Sequence, residues 1–148
     1  MKITTKTHET IDIDERQILN FPHGLFGFEA LKDYALLDTQ CPPFYSLQSI
    51  DIESLAFTLI DPFLFRPDYT VQLDDDELQT LGIDEPQQAL ILSIVTIPNG
   101  NSMTANLQGP LIINRETRLG KQVILQDSRW MIKHDIIAEF NARGASPC

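Results

Sequence analysis

The chain is short of cysteine, of basic residues and of long apolar runs, and each shortage closes off a class of function. Only Cys41 and Cys148 are cysteines among its 148 residues. A disulfide framework needs more cysteines in an oxidising compartment, and no Cys-x-x-Cys or mixed Cys/His spacing offers a metal site. Both are therefore expected as reduced thiols. Lys and Arg number 11 against 21 Asp and Glu, for a formal net charge of −10. Nucleic-acid affinity comes largely from Lys and Arg neutralising phosphates, so direct binding to RNA, DNA or an anionic membrane is disfavoured. A basic protein partner would instead be attracted and steered, although acidity alone also serves solubility. The longest apolar run, Ala89 to Ile97, is interrupted by Ser93 and Thr96. It falls well short of the roughly 18 residues of a membrane span. The start, Met1-Lys2-Ile3-Thr4-Thr5-Lys6, alternates instead of forming an apolar signal core. A cytoplasmic location is the expectation.

Catalytic spacing is also missing. The three histidines, His8, His23 and His134, stand far apart and form no His-x-x-x-His pair. Asp74-Asp75-Asp76 lacks the alternating oxygen ligands and central Gly of a calcium loop. Gly24-Leu25-Phe26-Gly27 is too slight a pattern for a phosphate cradle or an RNA clamp. No Gly-x-Ser-x-Gly, P-loop or dinucleotide fingerprint occurs. No catalytic, cofactor-binding or metal residue is nominated, and the chain is not expected to be an enzyme.

What is present is the makings of one packed domain. At this length a single core forms readily, and 43% hydrophobic with 22% charged residues is ordinary globular usage. Apolar residues alternate with period 2 at Ile11 and Ile13, at Phe57 and Leu59, and at Met103, Ala105 and Leu107, which signals half-buried strands. Leu90 to Ile97 is apolar on both faces, as in a central strand. Leu111 to Ile113 and Val123 to Leu125 are shorter runs of the same kind. Pro98-Asn99-Gly100-Asn101 reads as a hairpin turn, since Asn-Gly tolerates positive φ. One helix is well marked: Asp74 can cap it, Leu78 and Leu81 share a face, and Gly82 can stop it. Short helices are also expected near Glu29 to Tyr34 and Lys133 to Asn141. The expected fold is mainly β, a single-domain antiparallel β-barrel-like unit over 1–140 with two or three short helices. A mobile tail is expected over 141–148.

Three stretches stand out, each open to two readings. Asn20 to Glu29 concentrates Phe21, Phe26 and Phe28 with two glycines and Pro22. Its rings could plug the edge of the core or be presented to a partner. Ile60 to Tyr69, with Phe65 and Tyr69, is again aromatic and proline-punctuated, and leads towards Asp74, Asp75, Asp76 and Glu77. Those carboxylates suit a helix N-terminus, each contributing from a few tenths to about 1 kcal/mol. Equally, they suit an acidic contact patch. Asn106 to Asn114 looks like a strand, a tight corner and another strand. Phe21, Phe26, Phe65 and Tyr69, as apolar anchors, and Asp74, Asp75, Asp76 and Glu77, as steering charges, are the candidate partner-binding residues.

In this order and spacing the three stretches resemble the flagellar assembly factor FliW family. The resemblance is carried by Phe-Pro-x-Gly-Leu-x-Gly-Phe-Glu at Phe21 to Glu29, Asp-Pro-Phe…Pro-Asp-Tyr at Asp61 to Tyr69, and Asn106-Leu107-x-x-Pro110-Leu-Ile-Ile-Asn114. It covers about Ile11 to Gln126. Phe26 departs from it, falling where a proline is common. The resemblance implies a compact β-barrel-like fold and a regulatory role without a cofactor. It implies that flagellin is bound in the cytoplasm. It also implies that the freed protein binds the translational regulator CsrA and relieves repression of flagellin mRNA. The alternative from another class is a small β-barrel ligand carrier or flavin-type enzyme, which only the fold class recommends.

Overall fold

The period-2 segments form strands, and each strand pairing is antiparallel. The computed structural model describes residues 1–97 and 102–142. In chain order the elements are β1 (Lys2–Thr4), β2 (Thr10–Asp12), β3 (Ile18–Asn20), β4 (Asp33–Asp38), β5 (Phe44–Ser49) and β6 (Ala56–Ile60). There follow α1 (Asp75–Leu81), β7 (Ala89–Thr96), β8 (Thr104–Ala105), β9 (Leu111–Asn114), β10 (Gly120–Gln122), β11 (His134–Asp135) and α2 (Ile136–Ala142). β1 and β2 make a small separate sheet. The large sheet runs β10-β9-β7-β6-β5-β4-β3, with β8 pairing β7 and β11 pairing β8.

Its two ends approach one another where the Asn20 N–H donates to the Arg118 carbonyl at 2.9 Å. Asn20 and Leu119 make a single isolated bridge there. No ladder joins β3 to β10 among the described residues. The fold is mainly β, as expected, and barrel-like only loosely.

β7 organises the interior. Its first half pairs β9, with Leu90 opposite Ile113, and its second half pairs β6 and β8, with Val95 opposite Thr58 and Ala105. Because side chains alternate across a strand, β7 serves two cores. Leu92 joins Leu19, Phe21, Tyr34, Leu47 and Leu59 on one face. Val95 joins Ile60, Phe65, Ala105 and Trp130 on the other. β4 divides likewise: Tyr34 enters the first cluster, while Ala35 meets Ile3 and Ile13 beneath the β1–β2 hairpin.

α1 forms as its sequence signals. Asp74 Oδ1 accepts from the Glu77 N–H at 2.8 Å, and Gly82 ends the helix at φ +67°. Buried Asn114 then fastens that end. Its Nδ2 donates to the Leu81 carbonyl at 2.8 Å, and its Oδ1 accepts from the Glu116 N–H at 2.9 Å.

Four expectations change. Glu29 to Tyr34 is not a helix. Gly27 turns the chain at φ +88°, and Tyr34 pairs with Leu19 and Ser49 as the first part of β4. Strand pairing with two neighbours outweighs weak local helix propensity. Val123 to Leu125 is not a regular strand either. Its neighbouring segment holds Gly109-Pro110, and Pro110 has no N–H to give a ladder, so only the Val123 and Leu125 N–H groups bond across. The third helix starts at Ile136, because His134–Asp135 is drawn into a pair with β8. Cys41 is disulfide-bonded, correcting the expectation of a reduced thiol; cysteine count and compartment say nothing about proximity. Cys148, the Asn-Gly hairpin and most of the expected tail lie outside the described residues.

Asn114→Ala removes a donor and an acceptor from a buried junction. Its expected cost is about 2–4 kcal/mol, read as a lowered urea midpoint at unchanged slope.

Candidate functional site

The first motif divides its rings between core and solvent. Phe21 is fully buried and meets Tyr34 edge-on, with centroids 5.7 Å apart. Its ring lies against Gly120, where an added Cβ would stand 2.5 Å from Phe21 Cε1. The chain then reverses at Gly24, whose φ is +66° and whose Cα faces the Glu29 backbone, leaving no room for a side chain. Leu25 returns to the core, and Phe26 projects outward, 55% exposed.

Polar bonds hold that projection. The Phe26 N–H donates to Gln122 Oε1 at 2.9 Å. Gln122 Nε2 donates to the Gly109 carbonyl at 2.9 Å, and the Gly109 N–H donates to Asn106 Oδ1 at 2.8 Å. Gln122 is nearly buried, so this connected network fixes the first motif against the third. Between them lies a shallow groove of about 370 Å³, lined by Phe26, Phe57, Ile94, Ile124 and Ile132 among others. Ile124 and Ile132 are 50% and 58% exposed.

The second motif works differently. Asp61 Oδ1 accepts from the Phe63 N–H at 2.9 Å and starts a 3-10 turn over Pro62–Leu64. Phe65 and Tyr69 then turn inward. Phe65 stacks on His134, and Tyr69 meets Trp130 edge-on with centroids 4.8 Å apart. The Tyr69 hydroxyl donates to the Leu107 carbonyl at 2.5 Å. Phe21, Phe65 and Tyr69 are thus core residues in this structure and present no surface to a partner, which corrects their nomination as anchors. Such rings bury large area and find ring neighbours inside, a stronger claim on them than exposure. Of the nominated aromatics, Phe26 alone is presented.

The same motif ties down the C-terminal segment. The guanidinium groups of Arg66 and Arg129 both lie over the Trp130 ring, at 5.6 and 4.9 Å. Glu139 on α2 pairs with His134 at 2.8 Å and Arg66 at 3.4 Å.

The acidic residues fall into three roles. Asp74 caps α1. Glu77 is half-buried and pairs with Lys121 at 3.7 Å. Asp75 and Asp76 are exposed and have no cationic partner among the described residues. Asp74, Glu77 and Asp127 line a second groove of about 420 Å³. Hydrogen bonds from Arg129 hold the Asp127 carboxyl below its ordinary range, so it is ionised at neutral pH. Ile124 borders both grooves, and there the apolar and acidic faces meet.

Ile124, Ile132 and Gln122 were not among the nominated residues. A signal for Ile124 existed: alternation within Val123-Ile124-Leu125 puts it opposite its two buried neighbours. The histidines stay apart, His8 beside Glu53 and His134 beside Glu139. Among the described residues no group of three or more His, Cys, Asp or Glu is placed to hold a metal ion, and no helix is long and apolar enough to cross a membrane.

These features define a small, antiparallel, mainly β protein whose distinguishing surface is an apolar groove adjoining carboxylates. The model of the FliW protein family matches residues 2–136, further towards both ends than the motifs alone reach. The flagellar assembly factor FliW of Treponema denticola is 47% identical over 97% of this chain and 99% of its own length. That of Treponema pallidum is 47% identical over 98% of this chain and 97% of its own. A crystal structure of the flagellar assembly factor FliW superposes with a TM-score of 0.84 at 41% identity, covering 92% of this chain and 96% of the other. The chain belongs to the FliW family, and the relatives named here are flagellar assembly factors.

Burial raises the Tyr69 hydroxyl well above its ordinary value. Burial, then the nearby Asp51 charge, raises Tyr34. A phenol that stays neutral when folded stabilises the protein below the unfolded value near 10. That contribution is lost as pH rises further, because only the unfolded chain then releases the proton. Stability should therefore fall with pH above about 10, and Tyr69→Phe should flatten that fall. Urea titrations between pH 8 and 11 check this; equal slopes for both proteins would refute it.

Proposed function

We propose that this chain binds flagellin in the cytoplasm and, when free, binds and antagonises CsrA, relieving repression of flagellin mRNA. The observation that carries the reading is full-length similarity to flagellar assembly factors, joined to a surface suited to polypeptide. The groove beside Phe26 supplies apolar area, the usual source of affinity at a protein interface. Asp75 and Asp76, exposed and without cationic partners among the described residues, supply steering. CsrA must be basic to hold RNA, so an antagonist with a net charge of −10 meets it with complementary charge. Mass action completes the logic. Two partners draw on one limited pool, so the flagellin level sets how much of the chain remains for CsrA.

The test is a binding measurement with purified flagellin and purified CsrA at low and moderate salt. Phe26→Ala should weaken flagellin binding by about tenfold, on the order of 1.4 kcal/mol, at unchanged thermal stability. Asp75→Asn with Asp76→Asn should slow CsrA association roughly three- to tenfold at low salt and flatten its salt dependence. Asp74 is left intact in that variant because it caps α1. Retention of neither partner by the unaltered chain would end this reading.

A further inference from the structure

The segment between Tyr69 and α1 has the burial alternation of a strand but belongs to none of the strands. Thr70, Gln72 and Asp74 are exposed, while Val71 and Leu73 are half-buried and pack on the core cluster, the alternation of a strand lying on a hydrophobic layer. Asp74 itself has extended backbone, φ −76° and ψ 168°. Yet the backbone N–H and C=O groups of Thr70, Val71, Gln72 and Leu73 meet no hydrogen-bond partner among the described residues. A stretch with one face on the core and backbone groups left unpaired among the described residues can template another chain.

Space lies on both sides. One flank is the 420 Å³ groove, closed on its far side by Ile124 to Asp127. The other is a groove of about 580 Å³ lined by Leu78, Ile83, Asp84, Glu85 and Ile91 among others. Neither lining includes a Lys or Arg. Glu77 and Asp127 have cationic neighbours in Lys121 and Arg129, but Asp74, Asp84 and Glu85 have none among the described residues. Apolar side chains under the edge and uncompensated carboxylates at its rims fit one kind of occupant.

We propose that Thr70 to Leu73 is a docking edge that adds an extended segment of a protein partner as a further β-strand. The occupant alternates apolar residues, seated over Val71 and Leu73, with Lys or Arg reaching Asp74, Asp84 and Glu85. Main-chain pairing supplies affinity, and the charge pattern supplies selectivity. This inference rests on the reading that the chain binds polypeptide, and it assigns the mode of binding.

The probe is an acetylated heptapeptide alternating lysine and valine, mixed with the full chain. Hydrogen exchange at the Thr70 and Gln72 amides, which share one edge, should slow at least about tenfold at saturation, since paired amides exchange only on opening. A twin peptide N-methylated on its pairing face should bind at least about tenfold more weakly, and so should one with glutamate in place of lysine. Gln72→Pro, which deletes one donor, should lower affinity where Gln72→Ala does not. Should Gln72→Pro fail to fold, the N-methylated twin makes the same test on the unaltered chain. Unchanged exchange at these amides, or equal binding of the N-methylated twin, overturns the docking edge. Equal binding of the glutamate peptide overturns the basic occupant. Failure of flagellin and CsrA to bind while the lysine peptide protects the Thr70 and Gln72 amides would refute those named partners and leave the docking edge standing.

Discussion

A phenyl ring sits where a side chain on residue 120 would be. Because Gly120 has no Cβ, Phe21 can press its ring onto the start of β10 at a distance that an alanine methyl would forbid. That contact joins the two ends of the large sheet, which also meet through the Asn20 bridge to the 118–119 backbone. The local geometry of the 21–29 loop follows from it. With Phe21 anchored, Gly24 reverses the chain, Leu25 is carried back inside, and Phe26 is left facing outward. A ring exposed to that degree loses the stabilisation of roughly 1.5–3 kcal/mol that burying an apolar side chain brings. The Gln122 bond at its N–H holds the backbone in place without relying on the ring.

The same separation of roles runs through the molecule. β7 pairs with β9, β6 and β8 and buries Leu92, Ser93 and Val95, which makes it the fixed centre of the sheet. Departures from regular pairing are displaced to the periphery, at the Gly109-Pro110 corner, the irregular stretch after β10, and the segment before α1. The irregularity at Pro110 lets Ile124 point into solvent while Val123 and Leu125 stay buried.

Much of this was legible in the residues. Period-2 alternation located β6, continuous apolar runs located β7 and β9, and Asp74 with Gly82 bracketed α1 to within a residue, because capping and hydrophobic patterning are local. The class of surface, acidic with aromatic loops, was legible too. Which aromatics were exposed was not. Phe21 and Phe26 sit five residues apart in one loop, and burial is decided by Gly120, about a hundred residues away. Phe65 and Tyr69 are taken up by Trp130, His134 and Phe140, a contact between distant segments that no spacing rule reports. The turn at Glu29 to Ala30 read as helical because its composition allows it; the demand of β4 for Tyr34 is a tertiary constraint.

An unpaired edge in a protein built of antiparallel strands is a hazard unless something stops two copies from pairing through it. Charge answers that need here. Asp74, Asp84 and Glu85 stand at the rims of the exposed Thr70 to Leu73 segment, within a molecule already at −10. Two copies brought edge to edge would set those carboxylates against each other in a partly dried interface, where like charges are costly. A cationic chain meets the opposite situation, as its charges replace the missing counterparts while its backbone satisfies the free N–H and C=O groups. One distribution of charge therefore both discourages self-association and admits a basic partner. The acidity that reads as simple solubility in the composition acquires a second use once the unpaired segment is seen beside it.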